Sequence, residues 1–552
     1  MAPVVEGPAF ADADPVREAP VLSFADGLVT MASVKIPGSA GELTKAAPKA
    51  SGSAAVTATT FHDDTLPDSG WISIDQDGDG HGWEYARTVG SYFYSLEGLD
   101  GECITSASFI NGIGALTPDN WLVSPAFKVP ENTQIQFYVS GQDPKYCQEH
   151  YGVYISTSSQ TDTSAFTELY TETVDSGGRI YKGKVVDLTA FAGQTVYVAF
   201  RHFGCTDMYW LNLDGVGLAE AGTVPAVPAR LIRVKGKTRY DTSIQVALQL
   251  LNDLGASCYP NAIIATGDSF PDALAGSALS TTYSAPVLLI SEKSADSIDN
   301  AIDFIRNYVH DSSGNPGTVF ILGGKKAVPE SVESKLEAIG YTGTHHVRFA
   351  GKGRYETNLA VLEYLRDNGG GIEEMIFCDG TNWPDAATAS AVGYPIMLVA
   401  KSGLDSSQKA FLDSLGQFWV DVIGGKSAVP DQVLNSLAVY DKDGKPLRVF
   451  GKTRADTAVC LASTYWKTSE VDQVTFAYGA NFPDCIAGGL LANCMSSPIL
   501  YGDSNAPASY AEADLPYMAS SGARSAYILG GEKLIADDFV YDLMEDALSF
   551  TS

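Results

Sequence analysis

Two textures of apolar and polar positions follow one another along this chain. From Phe61 to about Leu218, apolar positions alternate with polar ones in short aromatic or β-branched runs, among them 135–139, 151–155, 184–188 and 196–200. A period of two broken by turn residues predicts half-buried antiparallel strands, and so an all-β sandwich over residues 61–220. After Arg230 the runs become continuously apolar, at 262–265, 286–290 and 318–322, with amphipathic stretches at 242–254 and 294–309 between them. Continuous runs suit strands covered on both faces, so this texture predicts a parallel sheet with helical crossovers, a small doubly wound α/β unit. Residues 1–60, rich in Ala, Pro, Ser, Thr and Gly without a period, read as a flexible segment, and the proline-containing stretch 221–229 reads as a linker.

The second texture occurs three times. Arg-x-x-Gly-Lys-x-Arg loops begin at Arg233, Arg348 and Arg448, Pro-Asp pairs stand at 271/272, 384/385 and 483/484, and Gly-Gly pairs at 323/324, 424/425 and 530/531. The order and near-constant spacing define three copies of one unit, placed at 230–345, 346–445 and 446–552.

Charge narrows the partners. The chain carries 36 basic and 66 acidic residues, a formal net charge of −30, which opposes binding to nucleic acid or an anionic membrane. No apolar run is long enough for a membrane span. The chain opens Met1-Ala-Pro-Val-Val-Glu, with neither a basic nor an apolar signal region, so any secretory signal is expected to have been removed and export is inferred from the domains. Eight cysteines lie scattered without C-x-x-C spacing, which argues against a zinc site and fixes no disulfide pairing.

Against that acidic background, 14 of the 25 basic residues after position 229 fall in two recurring loops. The candidate polymer contacts are Arg233, Lys235, Arg239, Lys325, Lys326, Arg348, Lys352, Arg354, Lys426, Arg448, Lys452 and Arg454. Arginine suits planar recognition of carboxylate or phosphate, and lysine beside a helix start points to an external anion. The alternative is that the second arginine of each loop pairs with a buried acid between copies, such as the Pro-Asp carboxylate. For the Pro-Asp motifs the reading is structural: Ser269, Asn382 and Asn481 suit an N-cap, with Asp272, Asp385 and Asp484 at the positive helix end. The glycine pairs read as strand-to-helix turns at positive φ, since neither phosphate-loop spacing is present.

In the β region, Asp75, Asp77 and Asp79 alternate within a glycine-rich loop, and alternate carboxylates in a turn can converge on a hard cation such as Ca²⁺. Asp214, on a distant strand, is a candidate fourth ligand, and a solvated acidic turn is the competing reading. No H-E-x-x-H or G-x-S-x-G is present, and Cys205 with His202 lacks a third partner in the sequence, so no catalytic residue is assigned.

The three copies resemble the cell wall binding repeat 2 family over residues 230–550, through the arginine loop, Phe-Pro-Asp-Ala-Leu and Gly-Gly-x-x-Ala-Val elements together. Copy three departs from the pattern at Ala455 and Glu532. The resemblance implies a pseudo-threefold arrangement of the α/β units and non-covalent anchoring to an anionic wall polymer of Gram-positive bacteria. Residues 61–218 resemble cleaved-adhesin and choice-of-anchor jelly-roll domains, through Asp75-Gln-Asp-Gly-Asp-Gly, Asp119-Asn-Trp-Leu-Val-Ser-Pro, Glu149-His-Tyr-Gly-Val-Tyr-Ile-Ser and the segment 201–214. That resemblance implies a β-sandwich, often calcium-bearing, that adheres to a host or matrix protein or to a glycan. The expectation is therefore a secreted, non-enzymatic cell-surface protein with bound Ca²⁺. A wall-anchored hydrolase or peptidase and a carbohydrate-binding module are the competing functions.

Overall fold

The computed structural model describes residues 70–550, apart from 90–92, 94, 96–102, 144, 179–180, 224–229, 255, 312, 369–371, 469–470 and 522. The segment read as flexible, 1–60, and most of the linker lie outside the described residues. Two compact units divide at Arg230.

The first is a sandwich of antiparallel sheets, a jelly roll. One sheet runs in the order Ile72–Asp75, Asp119–Val123, Thr195–Phe203, His150–Ser156, Thr167–Thr173. The other runs Lys182–Asp187, Thr133–Gly141, Trp210–Glu220, Ile104–Ala107, Glu84–Tyr85. Alternation does what the sequence pattern requires: Val198 and Phe200 meet Phe137, Val139, Leu211 and Leu213 in the core, while Ala199 joins Trp121 and Tyr154 on the other face.

The second unit holds three doubly wound α/β repeats in a pseudo-threefold arrangement, each built on a four-stranded sheet. In the first sheet, Asn261–Thr266 lies between Val287–Ile290 and Thr318–Leu322, all parallel. The fourth strand comes from beyond: His346–Phe349, which opens the second copy, completes the first sheet, and Leu447–Val449, which opens the third, completes the second. The cycle closes because Arg230–Val234, at the start of copy one, pairs with Ser525–Leu529 near the chain's end. Each arginine loop thus ends a strand of the preceding repeat's sheet and begins a helix of its own repeat. Two of these helices start on complete capping boxes, Thr238 with Asp241 and Thr453 with Asp456.

The repeats share buried surface. Leu490, Leu491, Tyr527 and Leu529 of copy three lie in one core with Val246, Leu250 and Ile298 of copy one. Polar contacts repeat the cross-linking: the Asn493 amide donates to Ala391 O at 3.1 Å and the Tyr501 hydroxyl to Pro384 O at 2.7 Å. Tyr465 bonds Asp421 and Tyr527 bonds Asp253 across the same boundaries.

Candidate functional site

The first arginine of each loop faces inward. Arg233, only 5% exposed, donates to Gly530 O at 2.7 Å and Ile535 O at 2.6 Å and pairs with Asp537 at 2.5 Å. Arg348 donates to Gly323 O and Val328 O and pairs with Glu333 at 2.9 Å; Arg448 donates to Gly424 O and lies 3.5 Å from Asp431. In every copy this arginine holds the Gly-Gly turn of the preceding sheet.

That turn is as tight as the sequence implies. Gly323, Gly424 and Gly530 have φ of +107°, +118° and +95°, and a Cβ on any of them would stand 2.6 Å from Oδ2 of Asp272, Asp385 or Asp484 respectively. The Pro-Asp carboxylates therefore pack against the glycine turns of their own repeats, and the expected capping differs. Ser269 precedes its helix without a capping bond, and the other two helices start after Trp383 and Phe482, leaving Asn382 and Asn481 one residue too early. Burial pushes Asp385 up to about 6, with the Asp379 charge adding and Arg454 opposing, and burial against the opposing charge of Arg239 does the same for Asp484.

The second arginine of each loop builds a cleft between repeats. Arg239, Arg354 and Arg454 each donate one N–H to a glycine carbonyl of their own repeat, Gly267, Gly380 and Gly479, at 3.0, 2.6 and 2.6 Å. Each guanidinium lies over an aromatic ring of a different repeat: Arg239 over Phe482 at 5.9 Å, Arg354 over Phe270 at 5.5 Å, Arg454 over Trp383 at 5.2 Å. The Pro-Asp carboxylates of those same neighbours, Asp484, Asp272 and Asp385, feel these charges without a direct ion pair among the described residues. All three arginines are half-exposed, with no further hydrogen bond or ion pair to the guanidinium among the described residues. Sequence reasoning missed the aromatic partners, because ring and arginine sit on different copies.

A tyrosine completes each cleft. Tyr240 and Tyr355 lie against Gly267 and Gly380, where copy three has Ala455 in the tyrosine's place; there Tyr510, from the helix Pro507–Ser521, lies against Gly479 instead. The third copy thus supplies the ring from another element. Among the lysines, Lys325 pairs with Glu330, Lys426 with Asp431 at 2.8 Å and Lys235 with Glu532 at 2.6 Å, whereas exposed Lys326, Lys352 and Lys452 have no partner among the described residues.

In the sandwich, Asp75, Asp77 and Asp79 converge, their ligand atoms within 4.8 Å of one another. Asp75 accepts from the N–H of Gly78 and Gly80 at 2.7 and 2.8 Å, and Asp77 accepts from that of Asp119 at 3.1 Å. Contact with Asp77 holds Asp75 below the ordinary carboxylate range, while burial and the same contact push Asp77 up. Crowded hard-oxygen donors of this kind fit a divalent cation such as Ca²⁺. Asp214 does not belong to the group: it lies 4% exposed in the opposite sheet, at an irregularity after Asp214, with its carboxylate bound to Gly215 N. The sequence could not separate the two sheets.

Cys205 and His202 do gain a third partner, Glu149. Glu149 Oε2 lies 3.0 Å from His202 Nε2 and 3.3 Å from Cys205 Sγ, and Sγ lies 3.2 Å from the same Nε2. A nucleophilic triad needs thiol and carboxylate on opposite ring nitrogens, whereas here both face Nε2 and Ser106 Oγ faces Nδ1. Burial and the Glu149 charge also hold the Cys205 thiol far above its ordinary value. For Glu149, burial raises the carboxyl, but His202, the Tyr209 N–H and the Ser108 hydroxyl outweigh it.

Fold and clefts together define a modular protein, three α/β repeats closed into a ring and a jelly-roll sandwich. The cell wall binding domain 2 (CWB2) profile matches residues 233–333, 348–434 and 448–540, and the Cleaved Adhesin Domain profile matches residues 54–218. The chain belongs to the cell wall binding domain 2 family. It is 38% identical over 206 residues to hemagglutinin A of Porphyromonas gingivalis, a match covering 34% of this chain and 9% of that protein. Within the repeats it is 26% identical over 265 residues to the N-acetylmuramoyl-L-alanine amidase LytC of Bacillus subtilis, covering 47% of this chain and 48% of the amidase. The solved structure of Cwp6 from Clostridium difficile aligns at a TM-score of 0.51 with 16% identity, over 76% of this chain and 66% of that one, and shows a shared fold. The chain spans less than a tenth of hemagglutinin A and about half of the amidase. It is thus a cell-surface, wall-associated protein, and no helix among the described residues is long and apolar enough to cross a membrane.

Proposed function

We propose that this chain is a secreted, non-enzymatic adhesin held to a Gram-positive wall by an anionic polymer that the clefts between repeats bind. The carrying observation is the set of half-exposed guanidinium groups of Arg239, Arg354 and Arg454, each oriented by one carbonyl and one ring and with N–H groups left for a ligand. Orientation before binding lowers the entropy an anion must overcome, and an arginine fork matches phosphate or carboxylate. Lys326, Lys352 and Lys452 add attraction without direct recognition. Arg233, Arg348 and Arg448 belong to the frame rather than to the binding surface.

The likeness to the amidase lies in the repeats, which supports a shared anchor and not shared catalysis. The convergence of Cys205 and Glu149 on one nitrogen supports the same reading for the sandwich. There the Asp75, Asp77 and Asp79 loop would hold Ca²⁺ and stiffen a domain that adheres to a host or matrix protein or glycan.

Co-sedimentation with purified walls that keep or lack their anionic polymer tests the anchor. Arg239→Gln, Arg354→Gln and Arg454→Gln singly should each weaken binding severalfold, and the triple variant should abolish it, because three sites on one body act multivalently. Equal pelleting with stripped walls, or a folded triple variant that binds like wild type, would sink the assignment.

A further inference from the structure

The place where Glu149, His202 and Cys205 meet lies within the sandwich, two strands along the sheet from its aspartate loop, since His202 pairs with Asn120 and Asn120 with Asp75. Glu149 precedes the strand His150–Ser156, His202 lies near the end of the neighbouring strand Thr195–Phe203, and Cys205 opens the connection to Trp210–Glu220. Sheet pairing and one tight turn therefore bring three different ligand types together. Glu149 and His202 are 0% exposed, and Cys205 is half-buried.

We infer that Glu149 Oε2, His202 Nε2 and Cys205 Sγ form a binding site for Zn²⁺ or a similar borderline-soft divalent cation, with the fourth position open to water. The first argument is geometric. The three atoms form a triangle with edges of 3.0, 3.2 and 3.3 Å. Tetrahedral zinc with bonds of about 2.0–2.3 Å places such ligands roughly 3.3–3.6 Å apart, so the triangle need open by only a few tenths of an ångström.

The second argument is a count of hydrogens. A ring nitrogen either donates or accepts. If Nε2 donates to Glu149 it cannot accept from Cys205, and if it accepts from Cys205 it meets the carboxylate lone pair directly. Hydrogen bonds satisfy all three approaches only if the Nε2–H is shared between Oε2 and the weakly accepting sulfur while the thiol donates to Oε2, whereas one cation satisfies them together without a shared hydrogen.

The outer contacts aim the ligands at one point. Ser106 Oγ holds Nδ1 at 2.8 Å and is itself bound by the Asn120 amide at 3.1 Å, which fixes the ring with Nε2 inward. Ser108 Oγ and the Tyr209 N–H both donate to Glu149 Oε1, at 2.9 and 2.8 Å, leaving Oε2 for the metal. Metal-bound histidines and carboxylates are commonly oriented this way. A thiolate and an imidazole also select against Ca²⁺, so this site differs in chemistry from the loop of Asp75. On binding, the thiol proton passes to solvent and sulfur takes its place on the metal.

The test uses the full chain, stripped of metal and kept in calcium so that the aspartate loop is satisfied. Titration with Co²⁺, a spectroscopic substitute for Zn²⁺, should give a sulfur-to-cobalt charge-transfer band that saturates at one equivalent and is removed by Zn²⁺. Cys205→Ser should lose the band and at least tenfold in affinity, while Asp75→Asn with Asp77→Asn should keep both. Absence of the band in wild type, or its survival in Cys205→Ser, would overturn the inference. If Cys205→Ser failed to fold, zinc X-ray absorption on the wild type would decide: one sulfur at about 2.3 Å supports the site, and a shell of nitrogen and oxygen alone refutes it.

Discussion

Arg233 separates two accounts of the arginine loops, and Arg233→Gln tests them. If the loops exist only to hold polymer, the substitution costs wall affinity and nothing else. The structure instead makes Arg233 a clasp between the first strand of the repeats and the last glycine turn, through Gly530 O, Ile535 O and Asp537. Breaking a buried ion pair by removing one partner costs about 3–5 kcal/mol, and each buried carbonyl left without a donor costs on the order of 1–3 kcal/mol. Asp537 is 24% exposed at its side chain and regains water, so the lower end applies, about 3 kcal/mol. At roughly 2 °C per kcal/mol for a unit of this size, calorimetry should show the wall-binding unit melting on the order of 6 °C lower. Wall co-sedimentation at 25 °C, where the variant stays folded, should remain near wild type. Arg454→Gln should do the reverse, losing affinity with a melting shift of only about 2 °C, since one hydrogen bond is worth about 1 kcal/mol. An Arg233→Gln protein that melts with wild type yet no longer pellets with walls would refute the clasp.

Calcium added to metal-free protein should raise the melting temperature of the sandwich by mass action, and Asp75→Asn with Asp77→Asn should remove that response; identical melts in calcium and chelator would reject the loop as a metal site. The buried carboxyls predict a pH dependence opposite to ordinary acid denaturation. Burial pushes Asp484, 7% exposed, up to about 6 from the ordinary 3.8, with Arg239 opposing, so its contribution is fully present below about 4 and is lost as pH rises through 6, up to roughly 3 kcal/mol at 1.36 kcal/mol per pH unit. Asp484→Asn should therefore gain stability relative to wild type between pH 4.5 and 7, and a difference in melting temperature that stays constant with pH would show that burial of the charge is not what the turn resists. Tyr510→Ala and Tyr240→Ala should each weaken wall binding severalfold, because both rings pack on the cleft glycine; unchanged half-saturation for Tyr510→Ala would mean that the third cleft does not need its tyrosine.

The textures of the sequence lead directly to most of this architecture, because period and apolar continuity are local properties. The runs 262–265, 286–290 and 318–322 became three parallel strands, and the alternating runs became the sandwich sheets. Copy number and the positive-φ glycines were equally legible, since both rest on residue type and spacing. What local pattern could not carry was which sheet a strand joins. The arginine loops read as the start of each copy, yet the strand before each loop completes the previous copy's sheet, which turns Arg233, Arg348 and Arg448 into clasps. Asp214 failed as a ligand for the same reason, lying in the sheet opposite Asp75. Glu149 stood in a segment that carried the adhesin resemblance, but 53 residues separate it from His202, and only strand pairing joins them.

Strand exchange around the ring has a functional consequence of its own. A repeat with its own complete sheet could drift relative to its neighbours, and an extended polymer would then meet three sites at varying distances. Here each sheet contains a strand of the next copy, and the loop leaving that strand supplies the arginine that lies over a ring of the preceding repeat, as Arg354 lies over Phe270. The same covalent connection that completes the fold therefore fixes the cleft. Fixed spacing favours multivalent binding, because no further ordering is needed once the first site is filled. The clefts are also alike in their unpaired lysines. Glu532, where the other copies carry a lysine after the glycine pair, takes Lys235 at 2.6 Å, while exposed Lys237, Lys352 and Lys452, which follow the loop glycine in the three copies, have no partner among the described residues. On the proposed reading, a polyanion would meet one half-exposed arginine and one unpaired lysine at each of the three clefts, so the clefts attract it alike and fixed spacing sets how it engages them.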